Sequence, residues 1–123
     1  MNYLVDSNIF IYATKPGDTI ASLLLMDTAD FYFSSITRIE VLGYNKLESK
    51  VKFALEQVFS AGTELALSRD IVEKSIELRQ EKMMSIGDVI IAATAILHDI
   101  TLLTRNIDDF KHLNNLLLEN PYE

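Results

Sequence analysis

The stretch IGDVIIAATAILHDITLLT, residues 86–104, decides the fold class of this chain. Its first part, residues 86–98, is apolar on nearly every side and predicts a helix that is buried on most of its faces. Its last part, residues 101–104, is short and apolar and predicts a buried strand. A buried helix that leads into a buried strand is typical of proteins in which helices cover both faces of a parallel sheet.

The same alternation extends outward from this stretch in both directions. The other predicted strands are residues 3–5, 31–34, 65–67 and 116–118. The other predicted helices are residues 8–14, 19–27, 36–47, 50–60, 71–82 and 108–113, with a turn cluster at 15–18 between the first two. We therefore expect one domain, residues 1–123, with a three-layer α/β/α fold and a central, mostly parallel sheet of about five strands.

Composition narrows the class of protein further. The 123 residues are 49% hydrophobic and 24% charged, as in an ordinary globular protein. The absence of cysteine excludes disulfides, thiolate zinc sites and a cysteine nucleophile. The N-terminal stretch lacks a basic region, and no apolar run is long enough to cross a membrane. We therefore expect a cytoplasmic protein with no membrane segment.

The net charge of −7 opposes binding to nucleic acid unless basic residues cluster or cations bind to the acids. The chain has one basic concentration, for which both a solvated helix face and contact with RNA phosphates are open interpretations: Arg38, Lys46, Lys50 and Lys52. The acids offer the second route.

Acidic residues from separate segments fall at one edge of the predicted sheet. Asp6 follows the first strand, Glu40 lies early in the helix after the second, and Asp108 and Asp109 follow the fourth. Asp88 begins the helix that runs back to the start of the fourth strand. Because parallel strands share a carboxyl edge, four segments should bring carboxylates together there.

Each acid also has a local explanation. Asp6 is a candidate helix N-cap. Three pairs have the spacing of a capping box or approximate it: Thr37 and Glu40, Ser85 and Asp88, and Asn106 and Asp109. Capping accounts for each acid alone but not for their convergence. Clustered carboxylate oxygens suit Mg²⁺ or Mn²⁺, which can activate water and stabilise a phosphodiester transition state.

Four segments in order and spacing resemble the PIN domain family, specifically the VapC-type ribonuclease toxins of toxin–antitoxin pairs. The segments are LVDSNIFIY (4–12), SSITRIE (34–40), GDVIIAATA (87–95) and LLTRNIDDF (102–110). The resemblance implies a metal-dependent endoribonuclease that uses Mg²⁺ or Mn²⁺, cleaves RNA, binds a cognate antitoxin and forms a homodimer. A further implication is a 5′-phosphate on the product.

The resemblance also assigns site residues. It implies an acidic site of Asp6, Glu40, Asp88 and Asp109, with Asp109 fitting the position before Phe110 better than its substitute Asp108. Glu40 would ligate the metal, directly or through water, or orient the attacking water. The resemblance also places Thr104 and Asn106 beside the metal. Ser7, Asn8 and Arg105 are further candidates, from their places in the chain, for positioning substrate or water. For Ser7 a hydroxyl bond to the turn backbone is the alternative, and for Arg105 a phosphate contact stays open. Asp99 departs from the family, in which glycine is frequent between the helix and the fourth strand.

Two other functions compete with this one. A catalytically inactive PIN-fold module that binds RNA or protein would differ by lacking metal-dependent cleavage. A receiver domain would need adjacent acids after the first strand and a lysine after the last, where this chain has Asp6 alone and Glu119. His98 and His112 are isolated near helix ends and are poor metal ligands. We expect the tyrosines 12, 32 and 44 to lie in the core or an interface.

Overall fold

The computed structural model describes residues 2–17 and 31–122, which form one sheet flanked by helices. The strands are β1 (Tyr3–Val5), β2 (Phe31–Ser34), β3 (Thr63–Leu65), β4 (Thr101–Leu103) and β5 (Leu118–Glu119). The helices are α1 (Ser7–Ala13), α2 (Ser35–Leu42), α3 (Ser49–Ala61), α4 (Arg69–Glu81) and α5 (Ile86–His98), with a 3₁₀ helix at Ile107–Asp109. The helix predicted at 19–27 lies outside the described residues.

The sheet has the strand order β3-β2-β1-β4-β5, and every neighbouring pair is parallel. β1 is central, with Tyr3 opposite Phe31 of β2 on one side and opposite Thr101 of β4 on the other. From β1 the chain builds outward through β2 and β3, then returns to add β4 and β5 on the other side. The gap between β1 and β4 is therefore the topological switch point, where parallel sheets place their sites.

Two apolar clusters lie on opposite faces of the sheet. Leu4 and Leu102 point to the face covered by α4 and α5, where they pack with side chains such as Ile71 and Ile91. The neighbouring strand residues Val5 and Leu103 point to the face covered by α1 and α3. This alternation follows from the two-residue period of a strand. It confirms the predicted three-layer α/β/α architecture.

Helix α5 is the most deeply buried helix of the described part. Residues 89–95 are all buried, and Ala92, Ala93 and Ala95 are small enough to let the helix lie close to the sheet. Thr94 is the polar exception, and its hydroxyl donates to the Ile90 carbonyl at 2.6 Å. The buried helix predicted from residues 86–98 is thus confirmed at the same limits.

Asp99 ends α5 in the left-handed conformation, with φ 53° and ψ 49°. The N–H of Asp99 donates to the Ile96 carbonyl, and the N–H of Ile100 donates to the Ala95 carbonyl at 3.1 Å. These two bonds form the turn in which glycine is usual. Aspartate is among the few other residues that enter this conformation, so the departure from the family leaves the helix end intact.

Four predicted elements differ clearly from the observed ones. The helix predicted at 36–47 ends at Leu42, where Gly43 follows. The strand predicted at 65–67 is Thr63–Leu65, because its register is set by pairing with β2. The C-terminal elements shift likewise: the 3₁₀ helix replaces the helix at 108–113, and β5 replaces the strand at 116–118. Within the described ranges, no helix has the length and apolar character needed to cross a membrane.

Candidate functional site

Asp6 lies at the switch point, where β1 ends and α1 begins. Its N–H donates to the Leu103 carbonyl at 3.0 Å, which extends the β1–β4 pairing by one bond. The side chain is only 3% exposed. One carboxylate oxygen accepts from the Ser7 N–H at 2.8 Å, and the other accepts from the Thr104 hydroxyl at 2.9 Å. The predicted N-cap is confirmed, and the cap residue is bonded across to β4.

Glu40 reaches the site by a different route from the one predicted. The N-cap of α2 is Ser34, whose hydroxyl accepts from the Ile36 N–H at 3.2 Å. Thr37 is therefore inside the helix and buried, and the capping-box interpretation of Thr37 and Glu40 is wrong. The serine that ends β2 takes the capping role three residues earlier.

A chain of hydroxyls links Glu40 to the first helix. Ser7 Oγ donates to Glu40 Oε1 at 2.7 Å and lies 3.0 Å from Thr37 Oγ1. A serine hydroxyl carries one proton, so Ser7 gives its proton to the carboxylate and accepts from Thr37. Ser7 thereby holds the Glu40 carboxylate near the end of β1. The alternative role for its hydroxyl, a hydrogen bond to the backbone of the turn, is not the one observed.

Gly87 allows α5 to approach Glu40 closely. A Cβ atom at Gly87 would clash with Glu40 Oε2. Glycine in the first turn of a helix weakens that helix. Here, because glycine has no side chain, the Glu40 carboxylate can occupy the space that a side chain would fill. Asp88, the next residue, is carried to the same place.

Asp88 is held by the cap of α5. The Ser85 hydroxyl accepts from the Asp88 N–H at 3.1 Å, which confirms the predicted cap at Ser85. Burial raises the pKa of Asp88, its interaction with the Ser85 side chain opposes that rise, and the charges of Asp109 and Glu40 raise it further. Asp88 therefore lies within electrostatic reach of both.

Asp108 and Asp109 have different neighbours. The Asp108 carboxylate lies 2.9 Å from Lys111 Nζ, which lowers the Asp108 pKa. Asp109 instead acts on Asp88. Phe110 is completely buried and fixes the backbone at this point. Asn106 makes no side-chain cap, so the third predicted capping pair is wrong; its carbonyl accepts from the Asp109 N–H at 3.1 Å.

The site concentrates negative charge without a basic partner. Burial raises the Asp6 pKa to about 6 against the bonds from Thr104 and Ser7, and the charges of Asp88 and Glu40 add to the rise. The ion pairs among the described residues use four other acids: Glu56, Glu64, Glu77 and Asp108. The four acids at the switch point repel one another uncompensated, which is the condition that a bound cation would relieve.

The donor set fits a hydrated hard cation. In the part of the chain that the structure describes, no three His, Asp or Glu side chains are arranged to hold a metal ion directly. Mg²⁺ typically keeps several waters and binds through one or two carboxylates, so the four acids suit an ion that some of them reach through water.

The two histidines lie elsewhere. His98 is exposed at the end of α5, and His112 follows the 3₁₀ helix, with no hydrogen-bond partner for either ring nitrogen among the described residues.

The remaining predicted site residues follow β4 or begin α1. The Thr104 hydroxyl, bonded to Asp6, also accepts from the Asn106 N–H at 3.0 Å, so Thr104 and Asn106 lie beside the acids. Asn8 is half-buried in the first turn of α1. Arg105 is exposed, and its guanidinium lies over aromatic rings rather than against an acid.

The basic concentration and the tyrosines lie outside the acid cluster. Arg38 pairs with Glu64 at 3.1 Å and Lys52 lies 4.0 Å from Glu56, while lysines 46 and 50 are exposed. Tyr12 and Tyr32 pack against the two apolar clusters, as predicted. Tyr44 is 58% exposed, so the core interpretation is wrong for it.

Sequence reasoning missed Thr37, Gly87, Asn120 and Tyr122. A glycine early in a helix is a detectable signal of close approach, and Gly87 carries it. Thr37 was assigned the wrong role because Ser34 and Thr37 both carry a hydroxyl that could cap α2, and Ser34 is the actual N-cap. Asn120 and Tyr122 reach the site loop only through the pairing of β5 with β4, and their local sequence carries no sign of that.

Comparisons with known proteins agree on one family. The sequence matches the family model of the PIN domain over residues 3–116. It is 38% identical to Ribonuclease VapC2 of Rickettsia felis over 136 aligned positions that cover 98% of each chain. A toxin–antitoxin complex from Klebsiella pneumoniae matches with 34% identity and a TM-score of 0.81, covering 98% of both chains. VapBC2 from Rickettsia felis, bound to a promoter DNA fragment, matches with 28% identity and a TM-score of 0.84, also covering 98% of both.

Metal, pH and stability should be linked through the acid cluster. The raised pKa values of Asp6 and Asp88 mean that the metal-free fold binds protons more tightly than the unfolded chain. The Asp6 contribution is full at low pH and is lost as pH rises from about 4 through about 6. Mn²⁺ at roughly 100 times its dissociation constant should add about 2–3 kcal/mol near pH 7 and less near pH ~4–5.

Thermal melts of wild type, Asp88→Asn and Asp108→Asn, with and without Mn²⁺ at the two pH values, measure this linkage. Asp88→Asn should leave the metal-free protein equally or more stable and should lose the response to Mn²⁺. Asp108→Asn is the matched control and should keep that response. A wild-type melt that ignores Mn²⁺ at neutral pH would exclude a shared metal site.

Proposed function

The chain belongs to the PIN domain family, and we propose that it hydrolyses RNA at the acidic site with Mg²⁺ or Mn²⁺. It is a ribonuclease of the VapC kind, the toxin of a toxin–antitoxin pair. One observation supports metal-dependent cleavage above the others: the charges of Glu40, Asp88 and Asp109, from separate segments, act on Asp6 or Asp88, and none of these four acids forms an ion pair among the described residues. A cation at such a site is suited to activating water and neutralising phosphate charge.

The residues of the site divide the work of hydrolysis among them. Asp6, Asp88 and Asp109 would hold the ion, directly or through water. Glu40, fixed by the Ser7 hydroxyl, orients the attacking water and takes its proton. The water oxygen bonds to phosphorus as the bond to the 3′ oxygen breaks, and the departing 3′ oxygen takes a proton from solvent, which leaves a 5′-phosphate and a 3′-hydroxyl.

Other polar side chains keep these carboxylates in position. Thr104 fixes one oxygen of Asp6 and orders the loop through the Asn106 N–H. Asn8 and Asn106, both half-buried beside the acids, position substrate or water. Asp6 is the most buried of the four acids, whereas Glu40 and Asp109 are exposed and accessible to RNA.

The principal test is cleavage of labelled RNA by the purified chain. We expect cleavage with Mg²⁺ or Mn²⁺ and none with a chelator. Sequencing of the RNA ends should show 5′-phosphates. A folded protein that binds RNA or a protein but cuts no RNA in either metal would instead be the catalytically inactive PIN-fold module.

The chain works with an antitoxin partner, and the groove beside Glu40 suits part of that partner. The groove is lined by apolar side chains from α1, α2, α3 and the loop between them, including Ile11, Tyr44, Leu47 and Leu55. We expect an antitoxin segment that places an apolar side chain here and an arginine or lysine against the acids. Such a cation would pair with the same carboxylates that the metal ion would bind.

A second copy of the chain is the other proposed partner. Large apolar side chains of α4, α5 and the preceding loops are exposed on one side: Leu67, Val72, Ile76, Ile86 and Leu97. Burial of such a patch in a symmetric dimer would remove it from water.

The proposed substrate also indicates where the protein acts. An enzyme that cleaves cellular RNA would do so in the cytoplasm.

These partners predict the composition of the native particle. Isolation from the cells that encode the protein should give a complex that contains two copies of this chain and a small basic-tailed antitoxin. Mass spectrometry and light scattering measure both. A monomeric chain with no small partner would contradict this assembly.

Glu40 provides a test that separates catalysis from folding. Glu40→Gln keeps an oxygen for the Ser7 hydroxyl but removes the charge, so cleavage should fall by about a hundredfold with little change in melting temperature. Glu48→Gln is the matched control, because Glu48 begins α3 without a side-chain capping bond. It should keep normal activity. Full activity of a folded Glu40→Gln protein would remove Glu40 from the mechanism.

Asp108 and Asp109 give a second matched pair. Asp109→Asn should lower kcat/KM by about a hundredfold, because a carboxylate that holds the ion is lost. Asp108→Asn should keep most of the activity, since Asp108 faces Lys111. Cleavage assays on both variants measure this, and the reverse order of activities would move the fourth acid to Asp108.

A further inference from the structure

Arg105 lies against two aromatic rings that come from opposite ends of the chain. Its guanidinium carbon is 4.4 Å from the ring centre of Tyr122 and 5.2 Å from that of Tyr12. The two rings meet edge to face, with centres 5.8 Å apart. A guanidinium stacked on rings keeps its N–H edge open, while its faces are held by cation–π attraction.

The backbone around Arg105 is tied to the C-terminal segment on both sides. The N–H of Thr104 donates to the Glu119 carbonyl at 3.0 Å. The Asn120 side chain lies 3.5 Å from the Arg105 carbonyl and accepts from the Tyr122 N–H at 2.9 Å. The arginine is therefore held by its backbone and by its side chain at once.

Within residues 2–17 and 31–122, Arg105 pairs with no acid, although it follows Thr104 at the acidic site. It directly follows Thr104, whose hydroxyl bonds to Asp6. None of the ion pairs formed by the described residues includes Arg105. The charges that act on Asp6 and Asp88 are those of other acids. The rings thus hold an exposed cation that is one residue from Thr104 in the chain and that does not act on the pKa of Asp6 or Asp88.

We infer that Arg105 binds a phosphate of the RNA strand next to the cleaved bond, with Tyr12 and Tyr122 as the residues that position it. The inference rests on the proposed cleavage of RNA. A chain with a net charge of −7 must offer RNA local positive charge, and a planar arginine edge suits phosphate oxygens. Pre-ordering the side chain reduces the entropy that binding would otherwise cost.

Binding of a labelled single-stranded RNA, measured against salt concentration, tests this inference. The measurement uses Asp109→Asn protein, so that cleavage does not interfere. Adding Arg105→Ala should weaken binding by about tenfold and lower the salt slope by about 0.7, the loss of one phosphate contact. Arg105→Lys should keep the slope but not the full affinity.

Two substitutions of Tyr122 test whether the aromatic rings position Arg105. Tyr122→Leu should weaken RNA binding several-fold with the salt slope unchanged, and should raise KM more than it lowers kcat in the otherwise unaltered protein. Tyr122→Phe keeps the ring and should restore normal values. Lys74→Ala is the control for net charge, because Lys74 lies beside Leu97 at the end of α5 remote from Asp88. It should leave affinity and slope unchanged.

Specific outcomes would overturn the inference. If Arg105→Ala lowers the melting temperature but keeps the affinity and slope, the stack only ties down the C-terminal segment. If Lys74→Ala weakens binding equally, only net charge matters. Wild-type protein that cuts no RNA but shows Arg105-dependent binding would refute the proposed hydrolysis and support the phosphate contact. Protein that binds no RNA would refute this contact directly.

Discussion

The hydrogen bond from the Thr104 hydroxyl to the Asp6 carboxylate is the contact on which the rest of the site depends. It joins the residue after β1 to the residue after β4, across the point where the sheet changes direction. Through Ser7 the same junction reaches Glu40, and through the Asn106 N–H it orders the loop that ends at Asp109. A buried carboxylate without these donors would be far costlier to keep charged.

The charged carboxylates of the site lower the stability of the fold that holds them. Burial and neighbouring charges oppose ionisation of Asp6 and Asp88, and two hydrogen bonds to Asp6 offset only part of that cost. The rest of the molecule compensates with two apolar clusters on either side of a fully parallel sheet. A cation, whether a metal ion or a basic side chain of a partner, would remove the repulsion, so the proposed metal activation and antitoxin inhibition would both use the free energy of this repulsion.

The sequence predicted the sheet, its layers and the convergence of acids, because these follow from apolar periodicity and from the shared edge of parallel strands. The buried helix of residues 86–98 and the cap at Ser85 were recovered to the residue. Local chemistry predicted less. Ser34 and Thr37 are both plausible caps, and only the end of β2 decides between them. The stack on Arg105 joins residues more than a hundred positions apart along the chain, and no local pattern records such a contact.

The order of the site residues along the chain has a consequence for synthesis. Asp6 emerges first from the ribosome, but its hydroxyl partner is 98 residues later, and Asp109 follows that. Folding proceeds from the N-terminus as the chain grows, so the long-range contacts of β4 form last. On the proposed mechanism, a growing chain cannot cleave the messenger and ribosome that are making it. Cleavage of RNA would begin only when the segment from β4 to Asp109 has been made and has docked beside β1.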